Sequence, residues 1–136
     1  MEAPDELRAK IADFPGYGND IELRHSDEYV RAYLGEALAA IGARCTLAPD
    51  VRQRLDDVLL RVEFADPRAF ATHRVAGETE PEDGVRAVAR ADVATVELAD
   101  RAAAIDAESA SRFLDEAVGA LDARDAALRA VAMKMA

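Results

Sequence analysis

Apolar residues recur three and four positions apart along most of this chain, in segments separated by clusters of turn-forming residues. That spacing places apolar side chains on one face of an α-helix, whereas a half-buried strand alternates at every second position. Alanine, the residue with the highest helix propensity, is abundant, while aromatic residues make up only 5% of the chain. The sequence therefore predicts an all-α fold with a core of Ala, Val, Leu and Ile.

Capping residues and helix breakers predict where the helices begin and end. Pro4 suits a first helical turn and Pro15-Gly16 ends the pattern, which gives a short N-terminal helix over 4–13. Ser26 is the expected N-cap of the next helix, and Gly42 is its expected left-handed terminator. The sequence predicts a bundle of four principal helices, over 27–43, 49–64, 81–104 and 107–133.

Two segments also fit a strand pattern, and one segment fits a connection. Residues 58–64 and 93–98 alternate well enough to be read as strands, which would turn the bundle into an α+β domain. A short helix over 67–72 and a polar stretch to Pro81 form the expected connection, with a capping box at Thr79-Glu80-Pro81-Glu82. Each half of the chain is too short for its own core, so one domain over 1–136 is expected.

Charge and cysteine content restrict the partners and the compartment that we expect. The chain has a net charge of −10 and a pI near 4.6, which disfavours nucleic acid and anionic membranes as partners. Cys45 is the single cysteine, so no intramolecular disulfide can form. The first residues lack the apolar stretch of a signal or anchor, and we expect a cytoplasmic protein.

One local cluster has the chemistry of a metal or ligand site. His25 lies three residues from Glu22 and three from Glu28, so on a continuous helix the three side chains would share a face, near Tyr17 in the preceding loop. A di-iron bundle needs a second Glu-x-x-His. His73 does not provide it, because Phe70 stands three residues before it in place of the required glutamate. An N-cap at Ser26 would also break this face. No cofactor is therefore expected, although a metal- or small-ligand-binding bundle, or an enzyme, stays the alternative.

Carboxylate pairs and the lone cysteine give weaker candidates. The E-x-x-D spacing of Glu63 with Asp66 and of Glu97 with Asp100 resembles a magnesium-binding pattern, but such sites need several converging carboxylates. Cys45 lacks any base that the sequence would place beside it, so a small buried side chain is the favoured interpretation. None of these features supports a catalytic set.

The last two predicted helices carry residues that could form an interface. Leu98 and Ile105 lie on a second apolar face of the third principal helix, which is central in the bundle or contacts another molecule. Leu114, Leu121 and Leu128 repeat every seven residues, as in a coiled coil. Arg124 and Asp125 interrupt that seam, which favours an ordinary bundle helix. The leading hypothesis is a non-catalytic interaction or regulatory module that forms a homodimer, or that binds another protein.

Overall fold

The computed structural model of the protein describes residues 2–64 and 82–135, and the predicted all-α bundle is confirmed within these ranges. The predicted helix over 67–72, the polar connection, the capping box at 79–82 except its last residue, and His73 lie outside them. The five helices are α1 (Ala3–Lys10), α2 (Asp20–Arg44), α3 (Pro49–Glu63), α4 (Glu82–Asp100) and α5 (Ala110–Met135), with a 3-10 helix over Arg101–Ala104.

Both segments that also fitted a strand pattern are helical. Residues 58–63 form the last turns of α3, and residues 93–98 lie inside α4. The described ranges contain no strand. The reason lies in packing, because Val58 and Val62 are both buried at helical spacing and Val96 reaches the interior from α4.

Helix α2 begins at Asp20, so the predicted start at Ser26 is wrong. The Asn19 side chain caps the helix by accepting a hydrogen bond of 2.9 Å from the Glu22 backbone N–H. Ser26 instead lies buried inside the helix, where its hydroxyl donates to the Gly16 carbonyl at 2.5 Å and accepts from the Gly16 N–H at 3.2 Å. Ser26 therefore fixes the loop between α1 and α2 against the helix.

Gly42 does not terminate α2, which continues to Arg44 and ends at Cys45. A Cβ at Gly42 would approach the Leu55 Cδ2 atom and the Arg52 Nη1 atom of α3 to 2.8 Å. The absence of a side chain is therefore used for close contact between α2 and α3. In the described ranges the only residue with a positive φ is Gly16, at 106°, in the loop that Ser26 holds.

Helix α4 lies at the centre of the bundle and packs against α1, α2 and α5, while α3 packs against α2 and α5. The buried apolar residues form two clusters. The Phe113 cluster joins α3 to the C-terminal half of α2 and the first half of α5, and includes Leu38, Leu55 and Leu114. The Phe14 cluster joins α1 and its loop to the other halves of α2, α4 and α5. Among the helices within residues 2–64 and 82–135, none combines the length and the hydropathy that a membrane span requires.

Candidate functional site

Glu22, His25 and Glu28 share the continuous first part of α2, because the helix begins before them. Glu22 already has a partner, since its Oε1 atom accepts a hydrogen bond of 2.9 Å from the Gly18 N–H in the preceding loop. His25 and Glu28 are exposed and, with Tyr29, line an open depression of about 430 Å³. Within residues 2–64 and 82–135, no group of three or more His, Cys, Asp or Glu side chains is placed to hold a metal ion.

Tyr17, the fourth residue of the predicted ligand site, points away from that depression. Its ring is buried against Phe14 in an edge-on contact with centroids 5.5 Å apart. Its hydroxyl donates a hydrogen bond of 2.6 Å to Asp92 Oδ2 on α4. The structure therefore separates Tyr17 from His25 and Glu28 and places it in the interior.

The predicted interface residues lie inside the chain. The side chains of Leu98, Leu114 and Leu121 belong to the Phe113 cluster, where Ile105 packs at the edge, and Leu128 belongs to the Phe14 cluster. Their apolar pattern is explained by the packing of α4 and α5 against neighbours within one chain. The four leucines are buried and Ile105 is partly buried, so the apolar spacing of these residues no longer supports a dimer.

A network of charged side chains crosses the bundle between the two apolar clusters. Arg124, at the position between Leu121 and Leu128 on α5, is only 1% exposed. Its Nε donates to Asp92 Oδ1 at 2.6 Å, and its Nη2 donates to Asp27 Oδ1 at 2.7 Å. Because each aspartate stands on a different helix, Arg124 holds α2, α4 and α5 together.

Arg31 extends this network to α3. Its Nε donates to Asp27 Oδ2 at 2.9 Å, and its Nη1 donates to the carbonyls of Val62 at 2.9 Å and Glu63 at 3.1 Å. Those carbonyls belong to the last turn of α3, where helix geometry leaves them without intrahelical donors. Arg31 thus connects the interior network to the end of α3.

Burial and charge shift the protonation equilibria within the network in different directions. Burial, followed by the negative charge of Asp92, raises the pKa of the Tyr17 phenol, which therefore keeps its proton. Burial also raises the pKa of Asp92, and the contacts from Arg124 and Tyr17 offset part of that rise. Burial lowers the pKa of Arg124, but the charges of Asp92 and Asp27 raise it by more, so the guanidinium stays charged.

This arrangement joins structural elements and is closed to solvent. Asp27, Asp92 and Arg124 have side chains that are at most 4% exposed, and their charged atoms contact one another. Only Arg124 Nη1 lacks a hydrogen-bond acceptor among the buried side-chain atoms of the described ranges. A ligand in solution cannot reach these carboxylates without opening the bundle. The network is therefore a feature of the scaffold.

Sequence reasoning missed this network although a signal for it exists. Asp27 lies four residues after Leu23, Asp92 lies four before Val96, and Arg124 lies three after Leu121, so each charge occupies a position in an apolar stripe. One charged residue in a buried face of each of three helices, with signs that can combine, predicts a buried ion group. By sequence spacing alone, Arg124 stands out only as an interruption of the apolar seam of the last helix.

At the outer face and the end of α3, large apolar side chains are exposed where polar ones are expected. Leu60 is 59% exposed on the face of α3 that charged residues would normally occupy, and Phe64, the extended residue directly after the helix, is 65% exposed. We call Leu60 and Phe64 the apolar ridge. Two large apolar side chains exposed within five residues of the chain are unusual, whereas single exposed ones are ordinary.

Two depressions lie near the end of α3. One, of about 600 Å³, lies between α2 and α3 and is lined by Ala32, Gly35, Leu59 and Val62, with Glu28, Arg31 and Glu63 around it. The other, of about 440 Å³, lies at the end of α3 and includes Phe64 and Arg61 with charged residues of α5. Arg61 Nη2 in that depression donates to Asp122 Oδ1 at 2.7 Å and to Asp125 Oδ2 at 3.0 Å.

The remaining sequence candidates have ordinary structural roles. Cys45 is half-buried at the end of α2, with its Sγ 3.7 Å from the Ile105 carbonyl oxygen. Asp100 accepts a hydrogen bond from the Tyr33 hydroxyl and forms an ion pair of 3.1 Å with Lys10. Glu97, its partner in the E-x-x-D spacing, is exposed. Asp66, the partner proposed for Glu63, lies outside the described residues.

Comparison with models of protein families, with curated proteins and with solved structures finds no match for this chain.

Proposed function

We propose that this chain is a non-catalytic helical interaction module that binds a protein partner through the apolar ridge. The observation that carries the proposal is the exposure of 59% for Leu60, on a helix whose other face supplies the core, and of 65% for Phe64 directly after that helix. Covering two such side chains on binding would remove apolar area from water, which is a common source of affinity at protein interfaces.

The buried network supports this use of the surface. Arg31 holds the carbonyls of Val62 and Glu63, directly before Phe64, and is itself held by Asp27. The end of α3 is thereby fixed to α2 before any partner arrives. A surface that is already ordered loses less conformational entropy on binding, so more of the contact energy becomes affinity.

A second copy of the chain is the competing partner. Self-association through the α5 repeat has lost its basis, but the apolar ridge itself could face its equivalent in a twofold dimer.

We propose a cytoplasmic location for the module, because its acidic composition and single cysteine fit a soluble protein that needs no disulfide.

The test compares the wild type with a ridge variant that carries both Leu60→Gln and Phe64→Gln. We expect wild-type protein, immobilised by a terminal tag, to retain a partner that the ridge variant loses. Ile21→Gln is the matched control, because Ile21 is a large apolar residue that is 54% exposed on a different helix, α2. Sedimentation equilibrium of all three proteins shows whether the partner is a second copy.

Two outcomes would contradict the proposal. A partner that the ridge variant retains as well as the wild type would place the interface elsewhere. A wild type that stays monomeric at high concentration and retains nothing that the ridge variant loses would leave the apolar ridge without a role in binding.

A further inference from the structure

We infer that the apolar ridge binds an amphipathic helix of another protein that presents Lys or Arg beside its large apolar side chains. This inference rests on the proposed function and adds the chemistry of the partner. It depends on three properties of the α3 surface: an acidic border, the prior use of the nearby arginines, and an apolar groove of suitable size.

Carboxylates border the apolar ridge on its own helix. Asp56 and Asp57 are exposed one turn before Leu60, and Glu63 is exposed beside Phe64. Of these three, Asp57 accepts a hydrogen bond of 3.0 Å from the neutral Gln53 amide, and no ion pair within residues 2–64 and 82–135 engages any of them. A ligand that covers Leu60 and Phe64 therefore meets negative charge at its edges.

Two nearby arginines already have carboxylate partners. Arg61 is paired with Asp122 and Asp125 on α5, and Arg31 is paired with Asp27 while it holds backbone carbonyls of α3. Neither guanidinium can turn toward Glu63 without giving up these contacts. The border consequently attracts cations from a partner, and a net charge of −10 on the whole chain adds to that attraction.

The groove between α2 and α3 can receive apolar side chains next to this border. Ala32, Gly35, Leu59 and Val62 line it, and Gly35 allows α2 and α3 to approach closely here, because a Cβ at this position would lie 3.2 Å from Val62 Cγ1. Glu28 and Glu63 line the same groove from opposite helices. An amphipathic helix can place apolar side chains in such a groove and over the apolar ridge, while its basic residues reach the carboxylates.

The same charges disfavour a second copy as the occupant. In a twofold dimer built on the apolar ridge, the acidic border of one chain would face the acidic border of the other. Like charges at a binding interface oppose association. A basic partner avoids this repulsion, and its cations are attracted by the same carboxylates.

The probe is a synthetic peptide of Leu and Lys with leucines at helical spacing, compared with a peptide in which Glu replaces every Lys. Binding to the full chain is measured by fluorescence anisotropy of the labelled peptides. We expect the Leu/Lys peptide to bind at least about tenfold more tightly than the Leu/Glu peptide, and the Leu60→Gln and Phe64→Gln double variant to lose about tenfold in affinity.

A pair of triple variants separates a local site from bulk charge. Asp56→Asn, Asp57→Asn and Glu63→Gln remove three charges at the border, while Glu6→Gln, Asp13→Asn and Glu97→Gln remove three exposed charges around α1 and α4. The control surface is distant because α1 packs against α4, whereas α3 packs against α2 and α5. We expect the border variant to lose about five- to tenfold in affinity and the control variant less than about twofold.

Each contrary result is distinguishable. Equal losses of affinity for both triple variants would show that binding depends on the overall charge of the chain, which would overturn the inference. Equal affinities of the Leu/Lys and Leu/Glu peptides would also overturn it. If binding of a captured partner requires Leu60 and Phe64 but binding of the peptides does not, the inferred chemistry of the partner is wrong, while the proposed function as an interaction module is retained. A ridge-dependent dimer in sedimentation would overturn the inference in favour of a second copy.

Discussion

The centre of the bundle and the outer face of α3 both carry residues of a type that their position would not predict. At the centre, Asp27, Asp92 and Arg124 stand where an apolar side chain is expected, and each finds its partner within the chain. At the end of α3, Leu60 and Phe64 stand where polar side chains are expected and remain exposed. The fold explains the buried charges, whereas it gives no role to the exposed apolar residues, on which the proposed interface is based.

We expect the largest effect from removal of the central cation, Arg124. Arg124→Met leaves two buried carboxylates without their main counter-charge, and we expect the free energy of unfolding to fall by about 3–5 kcal/mol. Urea denaturation measures this loss. The control Arg112→Met, at an exposed position of the same helix, should change stability by less than about 0.5 kcal/mol.

A combined variant tests the reason for that loss. Arg124→Met together with Asp27→Asn and Asp92→Asn buries no unpaired charge, so it should recover a large part of the lost stability. If the single Arg124→Met variant were as stable as the wild type, the network would not hold the helices together.

Removing the Tyr17 hydroxyl should have the next largest effect. Tyr17→Phe takes a hydrogen bond from buried Asp92, so we expect a loss of about 1–3 kcal/mol in unfolding free energy. Tyr33→Phe is the matched control, because its hydroxyl bonds to Asp100 at the surface, where water can replace it. Equal losses for the two variants in thermal or urea denaturation would contradict the idea of a closed interior.

The raised pKa of Tyr17 gives a prediction for alkaline pH. The unfolded chain releases the phenol proton at its ordinary pKa of about 10, whereas the folded chain keeps it, so stability is present below that pH and is lost as pH rises further. The expected slope is roughly 1.4 kcal/mol per pH unit for this one group.

Urea denaturation at a series of pH values measures this slope, and Tyr17→Phe should make it shallower. Tyr33 adds a smaller contribution, because its hydrogen bond to Asp100 and partial burial raise its pKa to about 12 at a surface that water screens. A slope that is the same in Tyr17→Phe and in the wild type would show that Tyr17 titrates normally in the folded chain.

The smallest expected effect on stability concerns the apolar ridge. Leu60→Ala should change the free energy of unfolding by no more than about 0.5 kcal/mol, because the side chain contributes little to the core. The same substitution at Leu55, which is 1% exposed on the same helix, should cost about 2–5 kcal/mol. A large loss from Leu60→Ala in denaturation would mean that the apolar ridge serves folding and is not reserved for a partner.

The positions of the helices could be predicted because they depend on neighbours in the sequence. Contacts three and four residues apart determine whether a segment is helical, and they gave α3 and α5 to within three residues at either end. The start of α2 was missed because Asn19 and Ser26 are both good N-caps, and local chemistry does not choose between them. The choice came from the buried bond between Ser26 and Gly16, which forms only in the folded chain.

The all-α fold and the apolar stripe of each helix could thus be predicted from the sequence, because those properties arise from local spacing. The pairing of Arg124 with Asp92, 32 residues away, and with Asp27, 97 residues away, is visible only in the folded structure, as is the contact of Tyr17 with Asp92 across 75 residues. The tertiary structure also determines that the apolar pattern of α4 and α5 is used inside the chain while Leu60 and Phe64 stay outside. The physical reason is that burial and charge pairing depend on which helices pack together, and helical periodicity leaves that choice open.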